Sequence, residues 1–160
     1  MYLLDTNICI FIKNKKPIHV LERLQRAIDD PVYISSISVA ELQFGVYNSL
    51  HIERNRLSLT EFLAPFEVLD FDTNDAEKFG ILRSQLKCEG AMIGPYDMLI
   101  AAQALSINLI LVTNNRNEFK RIKHIKIEDW HGSGHCRGLS LQGKDALPVF
   151  FLSSPYSFFL

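Results

Sequence analysis

Five short apolar runs, separated by stretches long enough to be helices, constrain this chain more than any other feature. Residues 2–4, 32–34, 66–69 and 109–112 are apolar or β-branched and bounded by turn residues, so they read as strands. Residues 125–127 alternate Ile-Lys-Ile and suit an edge strand. Between them, residues 18–28 place Val20, Leu21, Leu24 and Ile28 on one helical face, and residues 57–63 and 76–86 behave similarly. A strand that returns through a helix pairs in parallel with its predecessor, and helices then cover both faces of the sheet. The expected fold class is therefore α/β: a central parallel sheet flanked by helices, an α/β/α sandwich. Ligands of such folds gather outside the carboxyl ends of the strands.

Composition narrows the function classes. With 160 residues, 48% of them hydrophobic, the chain can bury one substantial core. A net charge of −1 excludes a polycationic nucleic-acid binder but leaves room for a local patch such as Lys13, Lys15 and Lys16. Cys9, Cys88 and Cys136 lack Cys-x-x-Cys spacing, which argues against a disulfide framework or zinc knuckle and suits a reducing cytoplasm. Neither a signal peptide nor a membrane-length apolar run is apparent, so a soluble cytoplasmic protein is expected. The domain is expected to end at Trp130. Residues 131–160, rich in Gly, Ser and His and then aromatic and Pro-broken, read as an atypical, weakly ordered tail.

Three carboxylates stand where such a sheet would present its site, and each also has a structural explanation. Asp5 ends the first strand and fits an N-cap for the segment at Thr6. Glu41 lies three residues after Ser38, the spacing of a capping box. Asp97 follows Pro95 in the first turn of a helix, where the macrodipole favours negative charge. What those explanations leave out is the combination, because parallel pairing brings all three to one edge. Crowded carboxylates raise one another's pKa unless a cation intervenes, and an oxygen-only ligand set favours Mg²⁺ or Mn²⁺. Such a centre suits phosphodiester hydrolysis. At the end of the fourth strand, Thr113 is a candidate support for a carboxylate and Asn115 a candidate to hold water. A polar turn with capping Asn residues explains them equally well, and Glu118 reads first as a solvated or Arg-paired helix residue.

These residues lie in LLDTNICI, ISSISVAELQFG, IGPYDMLIAAQAL, VTNNRNEFKRI and IKIEDW, and in that order the sequence resembles the PIN-domain ribonucleases, specifically the VapC toxins of bacterial toxin–antitoxin pairs. The resemblance covers residues 1–130. It implies the PIN fold and a Mg²⁺- or Mn²⁺-dependent endoribonuclease acting on structured RNA, with initiator tRNA at its anticodon stem-loop as the most specific expectation. It assigns Asp5, Glu41, Asp97 and Asn115 to catalysis and Asp5 and Asp97 to the metal. Thr6, Asn7, Thr113 and Glu118 are expected to support them. Relatives often carry Asp where Asn115 stands, so Glu118 is a candidate substitute for that acid. The resemblance further implies a homodimer, a VapB-like antitoxin that blocks the active site, and contact with DNA only through that antitoxin. Candidate RNA contacts are Lys13, Lys15, Lys16, Arg83, Lys120, Arg121 and Lys123, with Phe11 and Tyr96 as stacking surfaces. The alternatives are a catalytically silent binding module of the same fold and a metal-dependent phosphohydrolase acting on a small substrate.

Overall fold

The structure, a computed structural model, describes residues 1–27 and 29–131. Five strands, β1 (Tyr2–Leu4), β2 (Val32–Ser35), β3 (Glu67–Leu69), β4 (Ile110–Val112) and β5 (Lys126–Glu128), form one parallel sheet in the order β3-β2-β1-β4-β5. The register sets Leu4 beside Ile34 on one side and Val112 on the other, so β1, β2 and β4 end level with one another. Seven helices connect and cover them: α1 (Thr6–Lys13), α2 (Ile18–Arg26), α3 (Ser36–Tyr47), α4 (Ile52–Leu63), α5 (Thr73–Cys88), α6 (Pro95–Ser106) and α7 (Arg116–Phe119).

The period-two geometry of β1 divides the core. Leu4 joins Ile8, Ile12, Val20, Leu42, Val46, Leu59 and Phe62 from α1–α4 on one face. Leu3 joins Leu82, Leu86, Met98, Ile100 and Ala101 from α5 and α6 on the other. Both leucines are wholly buried, and each contributes about 1.5–3 kcal/mol by leaving water.

Two helices begin before their apolar periodicity. α4 starts at Ile52, and α5 starts at Thr73 because Asp72 and Asp75 form a reciprocal capping box that satisfies orphan amides. Asp75 also accepts the Ser106 hydroxyl, tying the start of α5 to the end of α6. α2 ends at Arg26, and Ile28 lies outside the described residues.

After β5, Glu128 pairs with Arg23 of α2, and Trp130 is buried edge-on to the Tyr2 ring, with centroids 5.4 Å apart. The His131 ring lies 4.7 Å from Phe11, and His19 Nε2 bonds the His131 carbonyl at 2.6 Å. The remainder of the tail assigned to residues 131–160, including Cys136, lies outside the described residues. Among the described residues no helix is long and apolar enough to cross a membrane.

Candidate active site

The site is built where β1 and β4 end. Asp5, the residue after β1, donates its backbone N–H to the Val112 carbonyl at 3.0 Å, which continues the β1–β4 ladder by one bond. With extended φ and ψ, Asp5 is also the N-cap of α1: Oδ1 accepts the Thr6 N–H at 2.7 Å. Oδ2 accepts the Thr113 hydroxyl at the same distance. The side chain is thus fixed on both oxygens and almost fully buried. Burial pushes the Asp5 pKa up, the bonds from Thr113 and Thr6 oppose that, and the nearby Glu41 charge adds to it.

Glu41 does not close a capping box with Ser38. The cap of α3 is Ser35, whose Oγ accepts the Ile37 N–H at 3.1 Å, and Ser38 lies buried one turn inside the helix. The reason is register: β2 pairs with β3 through Ser35↔Leu69, so the chain leaves the sheet there and α3 begins at once. Glu41 consequently sits in the second turn, where its Oε2 accepts the Thr6 hydroxyl at 2.6 Å. Thr6 therefore links two of the acids, its amide to Asp5 and its hydroxyl to Glu41.

Asp97 occupies the first turn of α6, which opens with Gly94 as N-cap and Pro95 at the first helical position. Asn115 donates its amide to Asp97 Oδ2 at 3.3 Å. The Glu118 carboxylate accepts the Gly94 N–H at 3.3 Å and stands within hydrogen-bonding reach of Asp97. The Asp97 pKa is pushed up to about 7, first by burial and then by Asp5, Glu118 and Glu41, with no cation among the groups acting on it. Glu118 moves the other way, held down chiefly by the Gly94 amide, and the two carboxyls titrate as a coupled pair.

The structure thus brings Asp5, Thr6, Glu41, Asp97, Thr113, Asn115 and Glu118 together. Asn7 is exposed and takes no part in the hydrogen bonds of this group. Asn115 grips Asp97, with its backbone N–H on Thr113 Oγ1 at 3.0 Å. Glu118, half-buried, faces Arg121 and lies beside Asp97, with the Gly94 N–H on its carboxylate. Arg83 does not reach the site and lies over the Phe79 ring of its own helix, 5.9 Å from the centroid. Lys123 pairs with Glu89. Two contacts at the entry to α6 were not foreseen in the sequence. A Cβ on Gly94 would meet Asp97 Oδ2 at 3.3 Å, so the glycine leaves room for that carboxylate. Arg121 donates to the Met92 carbonyl at 3.1 Å, on the loop that leads into α6. The Gly-Pro before Asp97 was the available signal for the first; nothing local signals the second.

Among the described residues, no three His, Cys, Asp or Glu side chains enclose a common point as a ready-made metal cage. Mg²⁺ does not need one, since it is usually held by one or two carboxylates plus waters and substrate phosphates. The donor set fits that pattern. Asp5 and Asp97 offer carboxylate oxygens, and the mutual repulsion that raises Asp97 is what a divalent cation would relieve.

Comparison with known proteins agrees with this geometry. The PIN domain family matches residues 2–125. The tRNA(fMet)-specific endonuclease VapC of Salmonella typhimurium is 45% identical over 129 residues, covering 81% of this chain and 97% of that protein. Ribonuclease VapC2 of Rickettsia felis is 43% identical over 131 residues, with 81% and 98% covered. The crystal structure of VapBC2 from Rickettsia felis bound to a promoter DNA fragment superposes with a TM-score of 0.77 at 42% identity, covering 81% of this chain and 98% of that one. The chain belongs to the PIN-domain family, among the VapC ribonucleases.

Proposed function

We propose that this protein is a divalent-cation-dependent endoribonuclease that acts as the toxin of a toxin–antitoxin pair in the bacterial cytoplasm. The observation that carries the reading is the convergence of Asp5, Glu41 and Asp97 from three different elements, with Thr6 bonded to both Asp5 and Glu41 and no lysine or arginine among the groups that shift Asp97. The silent binding module is disfavoured because only Asp5 bonds an amide of its own helix, whereas Glu41 takes a hydroxyl from α1 and Asp97 an amide from Asn115. The leading substrate is initiator tRNA, supported by the tRNA(fMet) specificity in the name of the Salmonella relative; the anticodon stem-loop follows from the family resemblance alone. A VapB-like antitoxin is supported by the VapBC complexes among its structural neighbours, two of them bound to DNA; a homodimer, and DNA contact only through the antitoxin, follow from the family resemblance alone.

Asp5 and Asp97 would hold the cation, Mg²⁺ or Mn²⁺. When bound, it neutralises phosphate charge and makes water a better nucleophile. Thr113 and the Thr6 amide fix the Asp5 carboxylate before any ligand arrives, and Asn115 anchors that of Asp97. Glu41 keeps Oε2 on the Thr6 hydroxyl and leaves Oε1 to orient the attacking water and accept its proton. Attack by water, rather than by the RNA's own 2′-hydroxyl, leaves a 3′-hydroxyl and a 5′-phosphate. The test is cleavage of a total-tRNA pool by purified, antitoxin-free protein with Mg²⁺, with EDTA, and with Asp5→Ala. Cutting at one site that requires both the metal and Asp5 is expected. Equal cutting in EDTA, or by Asp5→Ala, would overturn the assignment.

A further inference from the structure

The loop that enters α6 is exposed yet fastened. Glu118 accepts the Gly94 N–H, Arg121 donates to the Met92 carbonyl, and between them Ile93 turns into the core, 9% exposed. Two large side chains stand outside this pinned segment: Met92, 42% exposed, and Tyr96, 55% exposed and directly before Asp97. Single exposed apolar residues are ordinary on a protein surface. An aromatic ring mounted on a segment fastened by two side chains, with its Cα about 3.8 Å from that of an active-site acid, is a different object. The two bonds hold the backbone that leads to it. Phe11, the other stacking candidate, is taken up by the core and by the His131 ring.

We propose that Tyr96 stacks on an unpaired RNA base flanking the phosphate that is cut, and that Arg121, bonded to the same loop through Met92, meets a neighbouring phosphate. The guanidinium has five N–H donors and spends one on Met92, and its charge faces Glu118, which puts a cation at the rim of an otherwise acidic site. This deepens the endoribonuclease reading and rests on it. It makes the site selective for RNA whose bases are splayed out of the helix, because a paired base presents no free face to the ring.

The experiment measures binding of a single-stranded RNA oligonucleotide, and of the same sequence as a duplex, by fluorescence anisotropy in EDTA. It uses the wild type, Tyr96→Phe and Tyr96→Ala, with tRNA cleavage by the same three proteins in Mg²⁺. Tyr96→Ala should weaken single-strand binding and raise KM roughly 5- to 150-fold, the equivalent of about 1–3 kcal/mol of stacking on one base, with kcat less affected. Tyr96→Phe keeps the ring face and should stay within about threefold of the wild type. Duplex binding should be alike in all three. If Tyr96→Ala melts like the wild type and binds and cuts single-stranded RNA with the same Kd and KM, the stacking role is wrong while the ribonuclease stands. If the wild type neither binds nor cuts RNA, both fall together.

Discussion

Replacing Asp97 with Asn should make the metal-free protein more stable, not less. In the fold, Asp97 titrates near 7 instead of at the usual 3.8, because it is partly buried and faces Asp5, Glu118 and Glu41. The folded chain therefore binds more protons than the unfolded chain between about pH 4 and pH 7. Stability then falls as pH rises through that window, and the cost is fully present above it. A shift of about three pH units sets a ceiling of about 4 kcal/mol. Solvent screening of a partly exposed carboxylate, and sharing of one proton with Glu118, reduce this to about 1–2 kcal/mol. Asn keeps the shape and can still accept from Asn115, so Asp97→Asn should raise the melting temperature at pH 8 in EDTA by about 3–8 °C and flatten its dependence between pH 5 and pH 8. Millimolar Mg²⁺ should raise the wild-type melting temperature at pH 8 and leave that of Asp97→Asn almost unchanged. A variant that melts below the wild type at pH 8 and keeps the same pH dependence would refute the electrostatic reasoning.

Thr113→Val removes both the hydroxyl bond to buried Asp5 and the acceptor for the Asn115 amide, and should cost about 1–3 kcal/mol in urea denaturation. Gly94→Ala should fold normally, yet cut RNA several-fold more slowly in steady-state assays, because the new methyl crowds Asp97 Oδ2 and small displacements of a reacting group are costly. Glu118→Gln takes away a charge that raises Asp97, so the pH–rate profile of cleavage should shift its lower limb to more acidic pH. A chain ending at Trp130 should melt within about 3 °C of the full chain and dimerise, which tests the domain boundary expected there.

The layout of the sheet was legible because buried parallel strands carry their signal locally, in short β-branched runs such as those at Val32 and Ile110. Asp5 was legible for the same reason, since a carboxylate directly after a buried strand can stand only at its end. The cap of α3 was not. Ser35, Ser36 and Ser38 are equally good caps by residue type, and the choice is made by where β2 stops pairing with β3, a contact with residues more than thirty positions away. The contact of Glu118 with α6 was not legible for a related reason. Its partner is the Gly94 amide, 24 residues earlier, and only the meeting of α6 and α7 above β4 brings the two together. The early start of α5 comes from Asp75 acting at the third helical position, where Glu or Gln is the familiar signal.

The account turns on water, not the RNA's own 2′-hydroxyl, as the nucleophile at an acidic, cation-dependent site. The most direct measurement is end-group analysis of RNA cut by the wild-type protein. A 3′-hydroxyl and a 5′-phosphate at the cleaved bond are predicted; a 2′,3′-cyclic phosphate with a 5′-hydroxyl would contradict the assigned roles of Asp5, Glu41 and Asp97.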